Sequence, residues 1–201
     1  MATNACLVVS LWISCLLATT HAATFSSLQR TLVLTASPQA GQVLKAGEDN
    51  ITLAWSLNTT FASGIDSTYK TITVELCYAP ISQKDRGWRK TVDELAKDKT
   101  CQHNIVKKPY TSSNTTFTWT VRKDVPGATY FVRAYALDSA GKEVAFGQTT
   151  DAHKTTNLFE VEAITGRHVS LDIASACFSA FSIVSLLGFF FMDKRKAKSS
   201  K

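Results

Sequence analysis

The sequence predicts an all-β domain, an antiparallel β-sandwich, held to a membrane by one C-terminal helix. Strand-length segments with period-2 alternation recur between turn signals from about Ala23 to Arg167. No long amphipathic helical pattern competes with them there. One long uncharged run, Ile173 to Met192, is followed at once by Asp193-Lys194-Arg195-Lys196-Ala197-Lys198.

The N-terminus reads as a secretory signal over residues 1–22. Leu7 to Leu17 is an apolar core, and Thr20-His21-Ala22 places small residues at −3 and −1 of a cleavage site. Met1 to Ala5 has no Lys or Arg, so an uncleaved anchor is the second reading; the run is short for a span. The outer domain is expected over residues 23–170, the membrane helix over 171–192 and a basic cytosolic tail over 193–201.

Strands are expected in order. Arg30 to Thr35 is the first. Asn50 to Leu57 puts Ile51, Leu53, Trp55 and Leu57 on one face, and Thr68 to Tyr78 does the same with Ile72, Val74, Leu76 and Tyr78. Phe117, Trp119 and Val121 mark another. Thr129 to Leu137 is apolar on both faces apart from Arg133. The turn Asp138-Ser139-Ala140-Gly141 leads into Glu143 to Gln148, and Leu158 to Ile164 is the last strand. Seven or so short strands point to a sandwich. Three sequons, at Asn50, Asn58 and Asn114, are candidate glycosylation sites. Their even numbers put them on the face opposite the odd-numbered core residues.

Two cysteines bracket a charged insertion, Leu76 to Cys101. Cys6 and Cys15 leave with the signal, and Cys177 falls in the membrane run. Cys77 and Cys101 are then expected to pair in an oxidising compartment, which is worth roughly 3 kcal/mol; two unrelated buried thiols are the other reading. Pro80 and Gly87 break strand pairing. Thr91-Val92-Asp93-Glu94 has the form of a capping box, and Asp93 and Lys97 stand four apart, so a short helix is expected from Val92 to Asp98. Arg86, Trp88 and Arg89 are residue types enriched in binding hot spots. Trp88 as a plug that seats the insertion on the sandwich, with the charges in water, is the competing reading.

The run Ile173 to Met192 is about 30 Å long as a helix, the thickness of a hydrocarbon core. The basic residues after it put the C-terminus in the cytosol and the domain outside, a single-pass type I arrangement. The tail lacks paired lysines at its end, which leaves the plasma membrane open. Ser175, Ser179 and Ser182, beside Ala176 and Ala180, form a candidate helix-contact stripe, although small residues are common in spans.

Other classes lose ground. Of the net charge of +6, +4 lies in the nine-residue tail, and the +2 that is left is no footprint for nucleic acid. His103, His153 and His168 are far apart and lack metal-ligand spacing. No nucleophile elbow, P-loop or dinucleotide fingerprint occurs, so neither a catalytic role nor a cofactor is expected.

Two resemblances sharpen this. Gly127 to Gly147 resembles the F strand, turn and G strand of fibronectin type III domains through Tyr130, Val132, Arg133 and Ala136, and Trp55 fits that family's strand-B tryptophan. The fold class is therefore an immunoglobulin/fibronectin type III-like sandwich with a short helical, disulfide-closed insertion and one transmembrane helix. Further, "LCYAP", "DRGWRK", "DELAKDKTC", "GATYFVRAYALDSAGKEVAFGQ", "TNLFEVEAITGRH" and "SLDIASACFSAFS" are similar to the plant nitrate-assimilation-related proteins, accessory subunits that activate high-affinity nitrate transporters.

The resemblance implies a hetero-oligomer with a polytopic nitrate/proton symporter of the high-affinity type at the plasma membrane. With it, the insertion becomes the leading interface. Arg86, Trp88, Arg89 and Lys90 are expected to meet acidic or aromatic groups of the partner, and Asp93, Glu94 and Asp98 its basic ones. A free-standing adhesion or ligand-binding receptor is the rival reading.

Overall fold

The computed structural model describes residues 23–166 and 169–199. The expected signal peptide, residues 1–22, lies outside the described residues, as do Arg167, His168, Ser200 and Lys201. The chain forms two units that join in sequence between Ala163 and Ile164.

In the first unit the strands are β1 (Leu32–Ala36), β2 (Val43–Lys45), β3 (Asn50–Leu57), β4 (Thr71–Tyr78), β5 (Cys101–Pro109), β6 (Thr115–Thr120), β7 (Ala128–Leu137), β8 (Glu143–Gln148) and β9 (Phe159–Glu162). Seven of these fall on the expected strand segments; β2 and β5 do not. β2 is three residues with only Leu44 buried, too short to show a period, and it exists by pairing in parallel with β9. β5 buries only Ile105, because it is the sheet's edge strand. Lys107 and Lys108 guard that edge against pairing with other chains.

The strands form two layers. One sheet has the order β1-β3-β6. The other has the order β2-β9-β7-β4-β5, with β8 also on β7. Along one side of β7, β9 pairs with Ala128–Tyr130 and β8 with Arg133–Leu137. Gly141 takes the left-handed φ of 78° in the turn before β8. Leu32, Leu34, Ile51, Leu53 and Trp55 face Ile72, Val74, Leu76, Tyr130 and Val132 across a continuous core. In β3 the odd residues Ile51, Leu53 and Trp55 are buried in this core; in β4 the even residues face it, while Thr73 and Cys77 are buried on the opposite face. Gly147 is fixed by this packing, since a Cβ there would stand 2.5 Å from the Leu32 carbonyl oxygen. Tyr130 donates its hydroxyl to the Pro126 carbonyl at 2.7 Å. That is the tyrosine corner of immunoglobulin-like sandwiches.

The second unit contains helix α1 (Val169–Ser199), which includes the expected span 171–192. It is long and apolar enough to cross a membrane.

Candidate partner-binding site

The odd residues of β4 and β7 point away from the core, and the insertion closes over them. This flap runs from Ala79 to Thr100 and joins β4 to its neighbour β5. Cys77 and Cys101 face each other in the β4–β5 register and are disulfide-bonded, so the covalent clamp is at the flap's root.

The flap holds three 3₁₀ turns, Pro80–Gln83, Gly87–Arg89 and Leu95–Lys97, in place of the α-helix expected from Val92 to Asp98. A seven-residue helix is marginal by itself, and the groups it needs are used elsewhere. The Thr91 hydroxyl bonds to Gln83 Oε1 at 2.9 Å and to the Thr100 hydroxyl at 2.7 Å, so it caps nothing. The Asp93 carbonyl accepts the Phe25 N–H, and the Leu95 N–H donates to the Ala23 carbonyl, which holds this stretch extended. The Asp93 carboxylate accepts from the Ser26 N–H and hydroxyl, both at 2.8 Å. The expected Asp93–Lys97 pair is replaced by Glu94–Lys97 at 2.6 Å.

Under the flap and this N-terminal segment lies Arg133, 1% exposed. Its guanidinium stacks 4.2 Å from the Phe25 ring. It donates to Gln148 Oε1 at 3.1 and 3.2 Å and to the Tyr135 hydroxyl at 3.0 Å. Asp98 stands 4.0 Å away. Asp98 also accepts from the Thr100 hydroxyl at 2.6 Å and from the N–H groups of Val92 and Thr100 at 3.2 Å. Beside them a groove of about 370 Å³ is lined by Glu75, Asp98, Asn104, Lys107, Tyr135 and Glu143. Burial and the neighbouring Glu143 push the Glu75 carboxyl up to about 7; Arg133 opposes this and Asp98 adds to it. Burial also lowers the His103 imidazole. In the sequence Arg133 stands out as the one charge on an apolar strand, besides its place in the fibronectin-like pattern; that anomaly is the available signal for the cluster.

Arg89, expected to face a partner, is turned inward, whereas Trp88 is exposed, against the competing reading of it as a plug. Arg89 is 6% exposed and stacks 4.2 Å from the Tyr78 ring, with Nη1 donating to the Ser82 carbonyl at 3.3 Å. It is the plug. Trp88 is 64% exposed, and its carbonyl is held by the Gln102 side chain at 2.6 Å. Ile81, 71% exposed, also lies on the flap. Arg86 and Lys90 are exposed on either side of the Trp88–Arg89 pair.

A family model described as "High-affinity nitrate transporter accessory, Ig-like domain" matches residues 25–166, the whole sandwich and flap. The chain belongs to this NAR2 family. "High-affinity nitrate transporter 3.1" of Arabidopsis thaliana is 58% identical over 79% of this chain and 75% of its own length. "High-affinity nitrate transporter 3.2" of the same plant is 53% identical over 87% and 84%. "High-affinity nitrate transporter-activating protein 2.1" of Oryza sativa subsp. japonica is 48% identical over 85% and 81%. Among solved structures, the extended catalytic domain of LPMO9A from H. jecorina aligns at 13% identity with a TM-score of 0.29, covering 65% of this chain and 51% of that one. That likeness is too slight to bear on fold or activity.

In this NAR2 chain the seven candidate contact residues divide by burial. Arg86, Trp88, Lys90 and Asp93 are exposed, although Asp93 is used on Ser26. Glu94 is half-buried against Lys97, and Asp98 and Arg89 are turned inward. On α1 the hydroxyls of Ser175, Ser179 and Ser182 donate to the carbonyls of Asp172, Ser175 and Phe178 at 2.8–2.9 Å. Their polarity is thus satisfied within the helix, which leaves them and Ala176 and Ala180 as a smooth small-residue stripe. Among the described residues no group of three or more His, Cys, Asp or Glu is placed to hold a metal.

Proposed function

We propose that this NAR2 protein is a non-catalytic accessory subunit that binds, stabilises and activates a polytopic high-affinity nitrate/proton symporter. It does so at the plasma membrane, as a type I single-pass protein with the sandwich outside. The observation that carries the reading is the family match across the sandwich and flap, joined to an apolar helix of spanning length. The flap supports a contact at its exposed tip. Trp88 and Ile81 offer apolar area, and Arg86 and Lys90 supply steering charge. Arg89, Asp93 and Asp98 hold the flap so that Trp88 is presented with little ordering left to do on binding. The stripe of Ser175, Ala176, Ser179, Ala180 and Ser182 is a second contact, against a helix of the symporter. Activation follows from linkage: the subunit favours whichever transporter state it binds best.

Trp88→Ala is the test, in cells that express the symporter and the full chain. It should leave the amount of folded, surface-exposed NAR2 chain unchanged. Capture of the symporter should weaken by about 2 kcal/mol, roughly thirty-fold in Kd, with nitrate uptake falling in step. Unaltered capture and uptake would remove the flap tip from the interface.

A further inference from the structure

The sequons are not spread over the molecule. Asn50 begins β3, Asn58 follows its last residue, and Asn114 precedes the first residue of β6. All three lie in, or directly next to, strands of the three-stranded sheet. No sequon lies on β4, β5, β7, β8, β9 or the flap.

Local geometry favours modification at each. Asn50 lies opposite Thr120 in the β3–β6 register, and its Oδ1 accepts the Thr120 hydroxyl at 2.6 Å. Asn58 Oδ1 accepts both the N–H and the hydroxyl of its own sequon threonine, Thr60, at 3.0 and 2.9 Å. Asn50 and Asn114 are exposed and Asn58 is half-buried. Among the described residues, the side-chain nitrogen of none of the three makes a hydrogen bond. That nitrogen is the atom that receives a sugar.

The face these residues frame also needs cover. The outward positions of β1, β3 and β6 hold Val, Thr, Ala, Ser and Asn and no charged residue. β6 is an edge strand with no lysine or proline in it. A neutral, hydroxyl-rich sheet with an open edge invites pairing with other chains. Asn50 and Asn114 stand at the two ends of that edge strand, and Asn58 stands beside β1, where its N–H donates to the Thr31 carbonyl.

We infer that Asn50, Asn58 and Asn114 all carry N-linked glycans, which cover the outer face of the three-stranded sheet and leave the flap-bearing sheet as the side that meets the symporter. The inference rests on the outside placement of the sandwich proposed above. In the transfer, Asn Nδ2 bonds to the anomeric carbon of a lipid-diphosphate-linked oligosaccharide. The carbon–oxygen bond to phosphate breaks, its electron pair leaves on the lipid diphosphate, and Nδ2 gives one proton to a base of the host transferase.

The experiment uses the full chain, made in a eukaryotic secretory pathway with the symporter co-expressed. Limited endoglycosidase treatment should resolve three mobility steps, and Thr52→Ala, Thr60→Ala and Thr116→Ala should each remove one. Fewer than three steps overturns the assignment. A new sequon is then placed on the flap with Lys97→Asn/Lys99→Thr, against a matched Lys97→Asn/Lys99→Ala chain that has none. The added glycan should lower symporter capture at least about ten-fold by steric exclusion, and the matched chain should capture as the native one does. The triple threonine variant, or native chain trimmed enzymatically should that variant fail to fold, should keep full capture. Equal capture by the two flap variants, or capture lost on removing the native glycans, overturns the division of faces. If native chain captures no symporter at all, the accessory reading fails, while the mobility steps still decide the glycans.

Discussion

On the three-stranded sheet the outward residues are hydroxyls, amides and small apolar groups open to water. On the six-stranded sheet they include Glu75, Arg133 and Tyr135, closed over by the flap and the segment from Ala23 to Ser27. Exposed hydroxyl pairs such as Thr52–Thr118, at 3.2 Å, exchange readily with water and add little to stability. A buried guanidinium is different, because it is tolerable only with its partners in place. The covered face therefore fixes where the flap sits, and the flap's outer tip inherits that fixed position.

The largest test of this difference is Asp98→Ala. It removes the carboxylate nearest Arg133 and strips the acceptor from Val92 and Thr100. The expected loss is about 4 kcal/mol, read as a fall in the denaturant midpoint of the detergent-solubilised chain. Thr118→Ala on the open face should stay within about 0.5 kcal/mol of native. Comparable losses in the two would mean that the covered face is no more than a solvated surface.

The disulfide comes next. Cys77→Ser/Cys101→Ser frees the flap root across a sequence separation of 24. About 3 kcal/mol should be lost, and the flap should become the preferred site of proteolysis, near Trp88. If the hydrogen bonds to Ala23, Phe25 and Ser26 suffice to hold the flap, cleavage there will not increase, and the covered face is kept shut by those contacts alone.

How much of this was legible in the sequence follows the range of the interactions. β3 and β8 have the expected bounds, and β4 begins three residues later than expected: apolar residues on the core face write period 2 into β3 and β4, and a turn marks the start of β8. The flap helix was misjudged because its competitors are far away in sequence: Asp93 is 67 residues from Ser26, its hydrogen-bond partner. A capping box is a local signal and loses to such pairings. Trp88 and Arg89 are adjacent, and no pattern in a 3₁₀ turn says which faces in. Tyr78, on which Arg89 stacks, is set by the distant β4–β7 register. Arg133 stood out by sequence, whereas the Phe25 ring over it could be found only in the folded chain.

The smallest expected effect is a pH dependence confined to the covered face. Glu75 is raised from an ordinary 4.5 to about 7, by burial first and then by Glu143. A carboxyl raised in this way keeps its proton in the fold after the unfolded chain has released it. Its influence on stability is therefore nil below about pH 4.5, grows unfavourable as pH rises toward 7, and is constant beyond. The whole shift corresponds to about 3 kcal/mol, and partial exposure reduces this to about 1–2 kcal/mol. Asp151, whose carboxyl is lowered by bonds from Thr155 and Thr156, acts only at more acidic pH and does not disturb this window. Unfolding measured at pH 5 and at pH 7.5 should show native chain losing that amount relative to Glu75→Gln as pH rises, a comparison that cancels the opposite contribution of His103, whose burial-lowered imidazole favours the fold at the higher pH. Glu75→Gln should be the more stable chain at pH 7.5, and Thr118→Ala should reproduce the native profile. A Glu75→Gln chain with the native slope would move the titrating group elsewhere and leave the groove beneath the flap electrostatically indistinguishable from the open face.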